Sequence, residues 1–209
     1  MKLYSFPIAP SARRARIALA EKGLVAAIED VDLRSGRHLE PAYLAINPQG
    51  LVPVLELDDG TRITENIAIA AYLDAIKPTP PLFGTSPLER ARVFQWNARI
   101  EIEGLMPLAD LLRNTHPAFQ GKALPGVVGY EQIPQLAARG GDRVNRFLPI
   151  LSEHLAGREF VAADTYSFAD ITAVVFIDML RMARVELPAT LQPLCSWYDR
   201  ARARTSYAA

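Results

Sequence analysis

The sequence predicts an α/β N-terminal domain in the order βαβαββα, followed by an all-α helical domain. Three observations carry this reading: a strand-helix-strand opening over residues 2–33, a proline-bent strand with hairpin and helix over 47–73, and sustained helical periodicity after a proline-rich break. The expected domains are residues 1–76, a linker over 77–87, and a helical domain over 88–209.

Lys2 to Phe6 reads as a short strand and Pro7 to Pro10 as a kinked loop. Ser11 then opens a helix through Ala15, Ile17, Ala18 and Leu19, which Gly23 stops. Ala27 to Leu33 alternates enough for a half-buried second strand, so the opening forms a parallel βαβ unit with a right-handed crossover.

In NPQGLVPVLELDDGTRITENIAIAAYL, Val52, Val54, Leu55 and Leu57 flank Pro53, Asp58-Asp59-Gly60 supplies a tight hairpin, and Arg62 to Thr64 is the returning strand. A proline directly before such a strand can enter in cis, which turns Val52 out of the ladder with its amide and carbonyl free to bind a peptide. Glu65-Asn66 stands before the apolar run Ile67 to Leu73, so a polar pair marks a helix start whose unpaired amides form an anion site. A backbone edge, an acidic side chain for an ammonium group and a helix N-terminus for a carboxylate suit a small zwitterionic peptide.

KPTPPLFGTSP, from Lys77 to Pro87, can continue neither a helix nor a central strand. Beyond it, Leu88 to Asn114 carries Val93, Trp96, Ile100, Glu103 and Leu111 at three- and four-residue steps. Glu131 to Leu155 carries Leu136, Val144, Phe147, Leu148 and Leu151, with an interruption expected at Gly140-Gly141. Residues 115–130, with His116-Pro117, Gly126 and Gly129, read as a loop placed to cover a pocket. Ser167-Phe168-Ala169-Asp170 is a capping box with Tyr166 and Ile171 in staple positions. It starts a helix apolar nearly all round, which should run through the domain centre.

A chain of 209 residues with zero net charge argues against bulk nucleic-acid binding, and Arg13, Arg14 and Arg16 cluster within the first helix rather than forming a stripe. No run approaches the roughly 20 apolar residues of a membrane span, and no apolar leader follows Lys2, so a cytoplasmic protein with no membrane partner is expected. Cys195 is the only cysteine and the three histidines are scattered, which excludes an intramolecular disulfide and argues against a metal site. The chain lacks the G-x-S-x-G elbow of hydrolases and the glycine-rich loops of nucleotide enzymes.

NPQGLVPVL followed by ITENIAIAAYL resembles the glutathione-binding half of the soluble, cytosolic-type glutathione transferases. FVAADTYSFADITA resembles their capping segment, and SGRHLEPAY resembles the stretch of theta-like transferases in which a histidine contacts the glycine carboxylate of glutathione. The resemblance covers nearly the whole chain and points to a bacterial theta-like member. It implies a thioredoxin-like first domain, glutathione as co-substrate, conjugation to a small electrophile in detoxification, and a homodimer. It assigns glutathione to His38, Val52, Pro53, Glu65 and Asn66, with Arg37 as a substitute for His38. Family members usually show Glu-Ser where this chain has Glu65-Asn66, and Asn66 can still cap and donate. Leu51 is a departure at a position, shared with Gln49, that often carries a longer polar side chain.

A free thiol with a pKa near 8.5 is only about 3% thiolate at pH 7, so glutathione needs a group that ionises it. Related families use a tyrosine late in the first strand, a serine in the next loop, or a cysteine at the first helix start. Counted back from Arg16-Ile17-Ala18-Leu19, these positions fall on Ser5, Ala9 and Ser11. Ser11 is the candidate activator; the alternatives are Ser5, the backbone amides near Ser11, and Ser11 as a plain N-cap, while Tyr4 packs on a strand face. The electrophile is expected between the domains, against Met106, Asp110 and Arg113 on one face of the first long helix. The bland alternative makes Met106 core and Arg113 a solvated charge. A glutathione-dependent isomerase, lyase or peroxidase, or a noncatalytic scaffold, shares the same scaffold and stays open beside the transferase.

Overall fold

A computed structural model describes residues 1–209 and divides the chain into two compact units. The first comprises Met1–Leu82 with Pro125–Val127 and Ala208–Ala209; the second comprises Phe83–Leu124 and Val128–Tyr207.

The first unit holds β1 (Lys2–Ser5), α1 (Pro10–Glu21), β2 (Ala27–Asp30), a 3-10 turn (Arg37–Leu39), α2 (Pro41–Leu44), β3 (Val54–Glu56), β4 (Arg62–Thr64) and α3 (Asn66–Ile76). This is the predicted βαβαββα order. The sheet runs β2-β1-β3-β4, with β1 parallel to β2 and antiparallel to β3, and β3 antiparallel to β4. β1 sits inside and buries Leu3, Tyr4 and Ser5. The half-buried β2 expected over 27–33 is instead a four-residue edge strand with Ile28 55% exposed, because nothing pairs beyond it. α1 packs on α3, and Ala15, Ile17 and Ala18 of the one and Ile69, Ala70 and Leu73 of the other are all fully buried. Lys22, also fully buried, pairs with Asp74 at 2.7 Å and donates to the Pro80 carbonyl, while Asp74 accepts from the Leu82 amide at 2.8 Å. These bonds fasten the ends of α1 and α3 to the chain that leaves them. Residues 77–86 separate α3 from the next helix, and the division into units falls after Leu82.

The second unit is helical: α4 (Pro87–Arg99), α5 (Met106–Thr115), α6 (Pro134–His154), α7 (Phe168–Met182) and α8 (Gln192–Arg202). The continuous helix expected over 88–114 is broken in character by a π-helical stretch, Ile100–Leu105. Pro107 follows it and has no N–H with which to continue the ladder. Arg143 of α6 donates to the Ile102 carbonyl at 2.7 Å.

The interruption expected at Gly140-Gly141 is absent, since α6 runs unbroken through both. A Cβ at Gly140 would lie 2.4 Å from the Pro107 carbonyl oxygen and 2.9 Å from the Leu111 amide nitrogen. The glycine therefore lets two helix backbones approach rather than ending a helix.

α7 is buried on nearly every side, as its composition predicts. Ser167 is its N-cap and Asp170 closes the capping box, accepting from the Ser167 amide at 3.0 Å and hydroxyl at 2.8 Å. Asp170 also accepts from the Val161 amide at 2.8 Å and the Trp197 indole at 3.1 Å, which joins α8 to the start of α7. A second capping box, Ser86 with Glu89 in the S-x-x-E spacing, starts α4 with Pro87 at N1. No helix is long and apolar enough to cross a membrane.

Candidate functional site

The Val52-Pro53 peptide is cis, as the sequence allows, and β3 begins only at Val54. The carbonyl just before it, that of Leu51, is gripped twice: the Tyr43 hydroxyl donates at 2.6 Å and Asn47 Nδ2 at 2.9 Å. Burial pushes the Tyr43 phenol up to about 12, which keeps it protonated and donating. Gly50 completes the turn at φ 64°, where a Cβ would also lie 3.2 Å from the His38 carbonyl oxygen, so the 3-10 turn carrying His38 lies close against the Asn47–Leu51 bend. With Leu51 held in this way, the amide and carbonyl of Val52 enter neither the ladder nor any turn and are left as a peptide edge. Nothing in the sequence reading singled out Tyr43 or Asn47, because their partner is a backbone atom whose position depends on the folded bend.

Glu65 is the N-cap of α3 and adopts φ 65°, a left-handed conformation rare outside glycine. Asn66 is the first helical residue. Its expected capping role is not realised, because its side chain turns away from its own helix toward α1, and α3 starts without a side-chain cap. In the orientation that satisfies both ends of the amide, Nδ2 donates to the Ser11 carbonyl and Oδ1 accepts from Arg14 Nη2 at 2.9 Å.

α1 starts one residue earlier than expected, with Ala9 as N-cap and Pro10 at N1, since proline's fixed φ suits the first turn and it has no N–H to leave unpaired. Ser11 is consequently not the N-cap, and its hydroxyl bonds none of its helix's amides. The Ser11 and Ala12 amides precede the first intrahelical bond, that of Arg13 to Ala9 at 2.9 Å, and point out of the helix end. Arg16 shapes the preceding loop by donating to Ser5 Oγ at 2.6 Å, the Phe6 carbonyl at 3.2 Å and the Pro7 carbonyl at 2.7 Å. Ser5 is thereby buried and occupied, and the Tyr4 hydroxyl faces the Glu56 carboxylate at 3.4 Å. Arg37 is engaged by Glu29 at 2.5 Å and by the Asp30 carbonyl.

Met106, Asp110 and Arg113 lie along α5 in the second unit. Met106 is 61% exposed. Arg113 is neither core nor a solvated charge: it donates to the carbonyls of Ala123 at 3.0 Å and Lys122 at 2.6 Å, and its guanidinium lies 4.5 Å from the Phe119 ring centre. Asn114 and Gln132 tie the same helix end to the chain entering α6: Asn114 Oδ1 accepts from the Ile133 amide at 2.8 Å and Gln132 Nε2 donates to the Arg113 carbonyl at 2.8 Å.

Comparison with known proteins agrees with this architecture. Residues 9–76 match the glutathione S-transferase N-terminal domain, and residues 115–205 match the C-terminal domain of the same family. Glutathione S-transferase 2 of Saccharomyces cerevisiae is 36% identical over 208 residues, covering 99% of this chain and 87% of the relative. A glutathione S-transferase domain-containing protein of Marinobacter aquaeolei superposes with a TM-score of 0.90 at 35% identity, over 99% of both chains. A glutathione transferase homologue from sulfitobacter, solved with bound glutathione, superposes with a TM-score of 0.82 at 25% identity, over 99% of this chain and 94% of that one. The first unit's cis-proline edge and helix N-termini, and the helical character of the second unit, accompany sequence likeness along the whole chain, and the protein belongs to the glutathione S-transferase family.

Proposed function

We propose that the first unit binds glutathione and ionises its thiol, and that the thiolate attacks a small electrophile. The observation that carries this is the Val52 edge, a peptide amide and carbonyl left without partners inside the chain, within a fold that also presents the amide-bearing starts of α1 and α3. The cysteinyl backbone of glutathione pairs with Val52 beside Pro53, the Glu65 carboxylate receives the α-ammonium group, and the first amides of α3 at Asn66 receive the γ-glutamyl carboxylate. His38 serves the glycine carboxylate. The Ser11 hydroxyl and the Ser11 and Ala12 amides face the sulfur, where a hydrogen bond and a helix N-terminus both favour the anion.

In the reaction the thiol proton leaves to solvent and the thiolate sulfur forms a C–S bond with the electrophilic carbon. A leaving group departs with its electron pair, or the electron pair of an activated double bond takes up a proton. Met106 offers apolar surface to the acceptor, with Asp110 one turn on, while Arg113 acts through the loop it holds. The same reading makes the protein a cytoplasmic homodimer that conjugates electrophiles in detoxification.

A titration of the thiolate absorbance of bound glutathione tests the proposal. The apparent pKa should fall about 2 units below that of the free thiol, and Ser11→Ala should return roughly half of that shift. A wild-type pKa equal to that of free glutathione removes the enzyme reading, and an unshifted Ser11→Ala assigns ionisation to the helix amides alone.

A further inference from the structure

Asn66 occupies a position where a direct ligand contact is expected, yet its carboxamide is committed to α1. Its two hydrogen bonds join the first turn of α3 to the first turn of α1, across 55 residues of sequence from the Ser11 carbonyl. Asn66 and Arg14 are each only 7% exposed, so water competes poorly for these groups. The chemistry of the junction is also specific. The Ser11 carbonyl, which also accepts the intrahelical bond of α1, takes a second donor, and the Arg14 guanidinium donates to an acceptor; a primary amide supplies both from one planar group. Serine is too short to span them, and aspartate would set a second acceptor against the Ser11 carbonyl.

We infer that Asn66 is a positioning residue for thiol ionisation: through Ser11 and Arg14 it fixes the α1 turn that faces the sulfur relative to the α3 turn that holds the γ-glutamyl end. This rests on the glutathione reading above and assigns the carboxamide a different task from that of a ligand. The γ-glutamyl carboxylate is received by backbone amides, and the side chain sets where the Ser11 hydroxyl and the α1 amides stand. Ionisation depends on donors aimed at the charge as it develops, so a small displacement of α1 weakens it without removing the contacts that hold the peptide.

The test uses the full chain with Asn66→Ala and Asn66→Ser and three readouts: the affinity for S-methylglutathione, which has no thiol to ionise; the thiolate titration and turnover with glutathione; and amide hydrogen exchange at Arg13 to Ala15. Both variants should bind S-methylglutathione within about twofold of wild type, while the pKa of bound glutathione rises by about one unit and kcat falls about tenfold at nearly unchanged KM. Exchange in the first turns of α1 should quicken. A loss of S-methylglutathione affinity of about tenfold with an unmoved thiol pKa would make Asn66 a direct ligand and overturn the inference. Recovery of wild-type pKa and kcat by serine would overturn it too, because serine cannot bridge the helices. If wild type binds no S-methylglutathione, the glutathione reading fails by itself, and the exchange readout still decides the junction: unchanged protection refutes it.

Discussion

The Asp170 carboxylate receives four hydrogen bonds, from the Ser167 amide and hydroxyl, the Val161 amide and the Trp197 indole, and is completely buried. Burial pushes its pKa up, and all four donors oppose that by favouring the anion. Replacing it by asparagine would turn an N–H donor toward donors, so Asp170→Asn should cost about 3 kcal/mol in a urea melt, with Ser167→Ala costing about 1 kcal/mol. A melt of Asp170→Asn equal to wild type would contradict this placement. Ser167 and Asp170 were legible in the sequence because a capping box spans four residues. Val161 and Trp197 were not, since nothing local marks an amide or an indole as the partner of a carboxylate nine or 27 residues away. Asn66 follows the same pattern at greater range: its place at a helix start was readable, and the direction of its side chain was not.

At the scale of elements, Gly140 and Gly141 look alike in sequence and differ in surroundings. A Cβ at Gly141 would meet only Leu111 methyl carbons at 3.9 Å, whereas at Gly140 it would strike the backbone of α5. Gly140→Ala should therefore destabilise by about 1–3 kcal/mol, and Gly141→Ala should be neutral or stabilise by up to about 1 kcal/mol through helix propensity. Equal melting temperatures for the two variants would refute the close approach.

His154, near the end of α6, stacks on Trp96 at 3.6 Å between ring centres and bonds the Val161 carbonyl at 2.7 Å. Burial holds its pKa below the ordinary value, with the positive charges of Arg158 and Arg99 adding to the effect and the Val161 bond opposing it. A histidine depressed in the folded state binds its proton more readily when unfolded. Its contribution is thus present above the unfolded value of about 6.5 and is lost as pH falls through the lower folded value. Melting temperature should drop with acidification across that window, and His154→Gln should flatten the drop; an identical pH profile in the variant would exclude His154 as the source.

For the whole molecule, the order of elements decides the fold class. A βαβ opening, a cis-proline hairpin and a run of amphipathic helices admit few arrangements once crossovers are right-handed and apolar faces must be buried. The proposed homodimer is an expectation at this scale too: sedimentation velocity at micromolar concentration should show a particle of twice the 23.0 kDa chain mass, and a particle of the chain mass alone would refute it. Exposed apolar side chains on and after α4, Leu88 at 60% and Ile102 at 54%, offer surface that such association would cover.

The sequence by itself determined the two-part architecture, the hairpin and the buried capped helix, because each depends on periodicity or on contacts spanning a few residues; it allowed a cis peptide before Pro53, which the fold then adopts. Only the tertiary structure decided that α6 passes unbroken through its glycines, that Arg16 occupies Ser5, that Tyr43 and Asn47 hold the Leu51 carbonyl, and that Asn66 reaches across to Ser11 and Arg14. Those are pairings between groups distant in the chain or between a side chain and a backbone atom. Their geometry exists only after the elements have packed.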